Sequence, residues 1–233
     1  MQKRTLRTPF FVVNPKAYLY GEEAVKLAKV ADELAGKLDL DILFTVQQID
    51  AARVKQETNH LFVTVQHLDG IEIGRGMGYI LPEAVAAAGV TATFLNHAEH
   101  PLTLHDLANA MKRADELGIL TIVCADSIAE AKAVASLNPD IIVCEPTELI
   151  GTGQTSDQSY MERTNQTIRQ INPEIKILQA AGISTIADVE KALRSGADGT
   201  GGTSGIVCAL DPAKILTDML HKVAEIREGG TLE

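Results

Sequence analysis

The chain has 233 residues, 45% of them hydrophobic, which is enough to bury a sizeable core in one barrel-sized unit or two small domains. Its formal net charge of -10, its scarce aromatics and its lack of Trp argue against nucleic acid or an anionic membrane surface as partner, since both favour basic patches and bases also favour stacking platforms. No apolar stretch reaches bilayer length and the start, Met1-Gln2-Lys3-Arg4-Thr5-Leu6, lacks the apolar segment of a secretory signal, so a soluble cytoplasmic protein is expected.

In chain order, short apolar runs alternate with longer amphipathic segments, the pattern of βα units around a parallel sheet. The runs are Phe10–Val13, Ile42–Thr45, Leu61–Gln66, Ala92–Asn96, Leu120–Cys124, Ile141–Cys144, Ile175–Gln179 and a weaker, glycine-rich one at Gly199–Gly202. Helical patterns fill the slots between them. In Glu22–Leu38 the residues Val25, Leu27, Ala28, Val30, Ala31 and Leu34 fall mostly on one stripe. Pro82–Ala88, Leu104–Leu117, Ser127–Leu137, Tyr160–Gln170, Thr185–Leu193 and Pro212–Arg227 follow the same rule, and Ile49–Glu57 is the weakest helix. Thr103, Ser127 and Asp211-Pro212 are start signals. Eight such units predict a single closed α/β barrel, (β/α)8, more than an open doubly wound or flavodoxin-like sheet. One domain over residues 1–228 is expected, with 229–233 a glycine-rich tail whose last two residues read as an expression remnant. Cys124, Cys144 and Cys208 are widely spaced, odd in number and free of Cys-x-x-Cys, so the expectation is buried, inert thiols in strands.

In a parallel βα barrel the strand C-termini open onto one face, where catalytic groups from several strands meet. That rule selects Asn14 and Lys16 after the first run, Asn96, His97 and Glu99 after the fourth, and Glu145 after the sixth. Taken singly, each has an ordinary alternative: a solvated loop lysine, a hydrogen-bonded turn histidine, a capping carboxylate. Together, a carboxylate, an imidazole and a fixed cation at one barrel mouth make a proton-abstraction site. Glycines after the sixth, seventh and eighth runs suit a bound phosphate, which backbone N–H groups can approach where no side chain intervenes.

Several segments carry a more specific resemblance. Val13-Asn14-Pro15-Lys16 is similar to the Asn-x-Lys motif of triosephosphate isomerases, and Leu95-Asn96-His97-Ala98-Glu99 to their histidine segment. Cys144-Glu145-Pro146-Thr147-Glu148-Leu149-Ile150-Gly151-Thr152-Gly153 resembles the catalytic glutamate and the mobile loop after it. Ala181-Gly182-Ile183-Ser184 and Thr203-Ser204-Gly205 resemble the last two phosphate-binding segments, and Gln66 and Gly78–Ala84 resemble the short archaeal form.

The resemblance implies a TIM barrel that moves a proton between adjacent carbons of a small phosphorylated sugar, with no cofactor and no metal. Glu145 would be the base, His97 a neutral electrophile and Lys16 the fixed cation, with Asn14 helping to hold the Lys16 side chain and Glu99 pairing with it. This family is itself a standard example of acid and base groups tuned by their environment, the neutral histidine included. Gly151, Gly182, Ser204 and Gly205 would bind phosphate, and Pro146–Gly153 would close as a lid, protecting an enediol phosphate from losing its phosphate. A homodimer or homotetramer is implied in the same way.

The chain departs from the usual pattern at Pro15, at Ala98 in place of Ser, at Ala180 in place of Gly and at Met77 in place of an interface Thr. These changes, with Thr147, leave open a paralogue acting on another phosphorylated ketose, such as one of four carbons. His97-Ala98-Glu99 also matches half of a zinc deaminase signature, but the Pro-Cys-x-x-Cys half is missing. A barrel that binds a phosphosugar without turning it over is the remaining alternative.

Overall fold

The computed structural model describes residues 2–146 and 155–229. Its strands are β1 (Phe10–Val13), β2 (Ile42–Val46), β3 (Phe62–Val65), β4 (Ala92–Leu95), β5 (Leu120–Ala125), β6 (Ile141–Cys144), β7 (Lys176–Gln179) and β8 (Gly199–Gly202). All pair in parallel with their sequence neighbours, and β8 returns to β1, so the sheet closes into a (β/α)8 barrel. The helices are α1 (Gly21–Leu38), α2 (Ala51–Glu57), α3 (Pro82–Ala87), α4 (Leu104–Leu117), α5 (Ile128–Ala135), α6 (Gln158–Ile171), α7 (Ile186–Arg194), α8 (Ser204–Val207) and α9 (Pro212–Glu228). The weak second helix is a 3-10 turn, Gln48–Asp50, running into the short α2.

Alternation along each strand divides the core in two. Phe10, Val12, Leu43, Phe62, Phe94, Ile122 and Leu178 fill the barrel interior. Phe11, Val13, Phe44, Val63, Val123 and Ile142 face outward and pack under the helices with α1, α4 and α9 residues such as Ala28, Ala110 and Leu220. Local chemistry sets several helix starts. Thr103 and Ser127 accept hydrogen bonds from the N–H groups of Asp106 and Glu130, and Asp211 accepts from Lys214, ahead of Pro212. Thr185 and Asp188 form a reciprocal capping box at α7.

The glycines of β8 are a packing requirement. A Cβ at Gly199 would sit 2.4 Å from the Phe10 ring, and one at Gly201 would sit 2.3 Å from the Val12 carbonyl oxygen. The strand therefore looks weak in sequence because its neighbour β1 leaves no room for a side chain at Gly199 or Gly201.

The opposite end is closed by a basic N-terminal strap. Leu6 is buried among the interior residues, Lys3 Nζ donates to Asp140 at 2.7 Å, Arg7 pairs with Asp41 at 2.6 Å, and Arg4 lies 3.7 Å over the Phe62 ring. One expectation is corrected here. Cys124 and Cys144 are buried in β5 and β6, but Cys208 is exposed and lies outside any strand. It caps α8, whose buried side is already supplied by Ile206 and Val207.

Candidate active site

Strand order brings the polar residues that follow β1, β4 and β6 to one mouth of the barrel. Asn14, Lys16, His97, Glu99 and Glu145 line a single cavity of about 400 Å3, together with Gly182, Ala180, Thr203 and Ser204 from the ends of β7 and β8. That volume is in the range of small-molecule sites.

Lys16 Nζ donates to Glu99 Oε1 at 2.7 Å, with 19% of the lysine side chain exposed against 61% of the glutamate. Burial pushes the Glu99 carboxyl up, but the hydrogen bond from Lys16 and its charge outweigh this, so Glu99 stays below the ordinary carboxylate value. Asn14 holds the lysine backbone and not its side chain: Asn14 Oδ1 accepts the Lys16 N–H at 3.0 Å. A single turn after a strand places an Asn side chain closer to the following peptide than to the far end of a four-carbon stem.

The turn after β4 is built around Asn96, whose φ of 58° is in the left-handed region that Asn tolerates better than most residues. Its amide donates to Cys124 O at 3.1 Å and to Glu130 Oε1 at 3.0 Å, while its Oδ1 accepts the Leu102 N–H at 3.0 Å. His97 is thereby aimed inward. Its Nδ1 accepts the Glu99 N–H at 3.1 Å, which assigns the ring proton to Nε2, on the cavity side. Burial first, then the Lys16 charge, lower the His97 pKa from its ordinary value, so the ring is neutral near pH 7.

His97 Nε2 lies 3.9 Å from Glu145 Oε2, longer than a hydrogen bond. Glu145 directly follows β6 and its N–H is held by Ala125 O at 3.0 Å. Its side chain is only 18% exposed, and this burial raises its pKa against the partly opposing charge of Lys16. Such a carboxylate is more basic than an exposed one, which suits proton abstraction.

On the far side of the cavity, Gly182 has φ 69°, and Ser184 Oγ donates to its carbonyl at 3.0 Å. Ser204 begins α8 and lines the cavity, whereas Gly205 sits behind it. A Cβ at Gly205 would lie 2.6 Å from both Ile183 O and Ser184 Cα, so glycine here lets the β7 and β8 loops touch. Pro146 is buried beside Glu145. Thr147, Glu148, Leu149, Ile150, Gly151, Thr152 and Gly153 lie outside the described residues.

Among the described residues, no three His, Cys, Asp or Glu side chains converge as a metal site. His100 stacks on His67 with ring centroids 4.4 Å apart. Sequence reasoning assigned no role to Gln47 and Gln66, which contact the Lys16 carbonyl at 3.5 and 2.7 Å, nor to the side chain of the cavity residue Thr203. Gln47 and Gln66 each follow a strand directly, so the strand-end rule that selected Lys16 and Glu145 applies to them as well.

A parallel barrel whose mouth gathers an ammonium, a neutral imidazole and a largely buried carboxylate defines a proton-transferring isomerase of the (β/α)8 class. A family model described as "Triosephosphate isomerase" matches residues 9–218. The chain belongs to the triosephosphate isomerase family and is an isomerase. Among curated proteins it is similar to the triosephosphate isomerase of Methanobacterium bryantii, 40% identical over 221 residues covering 93% of this chain and 97% of the relative. The triosephosphate isomerase of Methanopyrus kandleri is 36% identical over 221 residues, 92% of this chain and 98% of that one. That of Methanothermus fervidus is 33% identical over 220 residues, covering 92% and 99%.

Proposed function

We propose that the chain interconverts dihydroxyacetone phosphate and D-glyceraldehyde 3-phosphate, with Glu145 carrying the proton between the two carbons. The observation that carries this reading is the largely buried Glu145 carboxylate facing the protonated Nε2 edge of His97, 3.9 Å away, in the cavity that also takes the Lys16 ammonium. Glu145 would remove a proton from C1 of the ketose, leaving an enediolate whose oxygens accept from His97 Nε2 and Lys16 Nζ. Returning the proton to C2, with His97 moving a proton between the two oxygens, completes the aldose. A positioned base contributes about 10²–10⁴ in rate, and fixed donors stabilise the developing oxyanion better than mobile water does.

The backbone around Gly182 and Ser204 would meet the phosphate, with Gly205 permitting their approach and Gly151 joining from the loop. The segment Pro146–Gly153 would act as the lid. The -10 net charge is no obstacle to an anionic substrate, because the site itself supplies Lys16 and backbone N–H groups.

Self-association as a homodimer or homotetramer is part of the same reading. Tyr18, Tyr20, Ile49, Ile73, Met77 and Tyr79 are all more than half exposed, and all come from the connections after β1, β2 and β3, which are neighbours in the barrel. No helix among the described residues is long and apolar enough to cross a membrane, and a cytoplasmic place in glycolysis or gluconeogenesis fits a triose phosphate substrate.

The test is a coupled assay of the two triose phosphates in both directions beside longer ketose phosphates, with light scattering on the same sample. A higher kcat/KM for the trioses supports the reading. Turnover confined to a longer ketose phosphate would replace the substrate, and a strictly monomeric active enzyme would remove the assembly.

A further inference from the structure

Lys16 is held in a backbone conformation that L-residues rarely adopt. Its φ is 46°, and it is neither Gly nor Asn, the residues that tolerate the left-handed region best. Such a conformation persists only where surrounding groups fix it, and here the fixing groups can be named. Asn14 Oδ1 accepts the Lys16 N–H at 3.0 Å. Gln66 Nε2 donates to the Lys16 carbonyl at 2.7 Å, and Gln47 Nε2 reaches the same oxygen at 3.5 Å. These residues follow β1, β3 and β2 respectively, so three adjacent strand ends grip the two peptide groups of one residue.

The two glutamines are unequal. At 3.5 Å the Gln47 contact is at the limit of a hydrogen bond, whereas 2.7 Å is short and strong. Gln66 is half-buried and sits directly past the end of β3. Its hydrogen bond spans 50 positions in sequence and ends on the segment that carries the ammonium. Releasing the Lys16 carbonyl would let φ relax toward the common negative region, and that rotation moves the root of the side chain whose tip meets Glu99 in the cavity.

We propose that Gln66 is a positioning residue for the isomerase reaction, acting by clamping the Lys16 peptide so that the ammonium stays at its place in the cavity. This rests on the reading of Lys16 as the fixed cation. The side-chain chemistry is specific. A donor is needed opposite a carbonyl, so Glu of the same shape repels where Gln binds, and Leu leaves the oxygen without that partner.

The experiment compares Gln66→Leu, Gln66→Glu, Lys16→Ala and the Gln66→Leu/Lys16→Ala pair in the full chain, by steady-state kinetics on triose phosphate and by thermal melting. The expected result is a rise in KM of about tenfold or more for both Gln66 variants, a smaller loss in kcat and a melting temperature close to that of the parent. In the Lys16→Ala background, Gln66→Leu should add nothing, because the group through which it acts is gone. Equal losses in both backgrounds, or a lowered melting temperature with KM unchanged in every soluble variant, would overturn the proposal. Should Gln66→Leu fail to fold, the Gln66→Glu kinetics and a Gln66→Glu/Lys16→Ala pair decide in the same way. If Lys16→Ala itself is fully active, the underlying reading of Lys16 falls; if Lys16→Ala is impaired and Gln66 variants are not, only the role of Gln66 falls.

Discussion

Replacing Gly201 by Ala tests why the barrel closes where it does. Gly201 is opposite Val12 across the β1–β8 seam, and an added Cβ would lie 2.3 Å from Val12 O, 2.7 Å from Val12 Cβ and 2.9 Å from Val12 C. Two of these atoms belong to the β1 backbone, so no side-chain rotation relieves the clash and the strands must part. Parting them lengthens seam hydrogen bonds such as Asn14 N–H to Gly202 O, now 3.1 Å. Overpacking of this kind costs about 1–3 kcal/mol, and a weakened backbone hydrogen bond adds about 1 kcal/mol, giving about 3 kcal/mol in all. For a chain of this size each kcal/mol lowers the melting temperature by about 2–4 °C, so Gly201→Ala should melt roughly 6–12 °C below the parent. Gly21→Ala is the matched control: its Cβ would meet nothing within 4 Å, and only the φ of 55° opposes it, at about 1 kcal/mol. Scanning calorimetry of the two variants side by side is the assay. A Gly201→Ala protein that melts no lower than Gly21→Ala would refute the claim that β1 leaves no room for a side chain at position 201.

Glu145→Gln should lower kcat by about 10²–10⁴ while leaving the fold intact, measured by single-turnover kinetics with circular dichroism as the control. Burial raises the folded pKa of Glu145 above its unfolded value, so its contribution to stability is lost as the pH rises from the ordinary carboxylate range through the raised value; the neutral Gln variant should therefore melt no lower than the parent at pH 7. The same raised pKa places the acid limb of the kcat/KM profile above the ordinary carboxylate range, as base action needs the proton off; a limb at the usual value would contradict the assignment. Glu99→Gln removes an ion pair whose carboxylate is 61% exposed, worth at most about 1 kcal/mol, so kcat/KM should fall no more than about fivefold, and a loss above about a hundredfold would require Glu99 to contact substrate. Asp140→Ala, at the opposite end of the barrel, strips acceptors from the Thr121 N–H (2.8 Å), Thr121 Oγ1 (2.9 Å) and Lys3 (2.7 Å); it should cost about 2 kcal/mol in melting experiments and leave kcat/KM unchanged.

How far the sequence could be read depended on whether a signal was local. The runs at Phe10–Val13 and Ile141–Cys144 are strands of those bounds, and the start signals at Thr103, Ser127 and Asp211 cap helices, because apolar periodicity and capping act within a few residues. Gly199–Gly202 carries a weak strand signal because its strand character is imposed from β1, by Phe10 and Val12 at the other end of the chain. The N-terminal strap leaves no periodic trace, since Arg4 and Arg7 act singly through Phe62 and Asp41. At the mouth, strand ends point to Lys16, His97 and Glu145, and these line one cavity. What a carbonyl needs is not written in the residue that bears it, so Gln66 and Gln47 become meaningful only once the Lys16 peptide has a position. For the same reason spacing places Asn14 beside Lys16 but does not say that its Oδ1 meets the Lys16 N–H, since it gives proximity and not which atom is met.

The three pKa directions at the mouth explain one another. If Lys16 paired with Glu145, the carboxylate would be held below its ordinary value and would make a poor base. Here the ammonium meets Glu99 at 2.7 Å, and among the described residues Glu145 has no ion pair with Lys16. If His97 were protonated, it would be the next cation to neutralise Glu145 across 3.9 Å. Burial and the Lys16 charge keep it neutral, and the Glu99 N–H occupies Nδ1, so the ring offers the cavity an N–H without a net charge. Glu99 thus acts twice, through its carboxylate on Lys16 and through its backbone on His97. The cation and the neutral donor are fixed on one side of the site by contacts that do not involve Glu145, and burial is left free to raise the basicity of the carboxylate on the other.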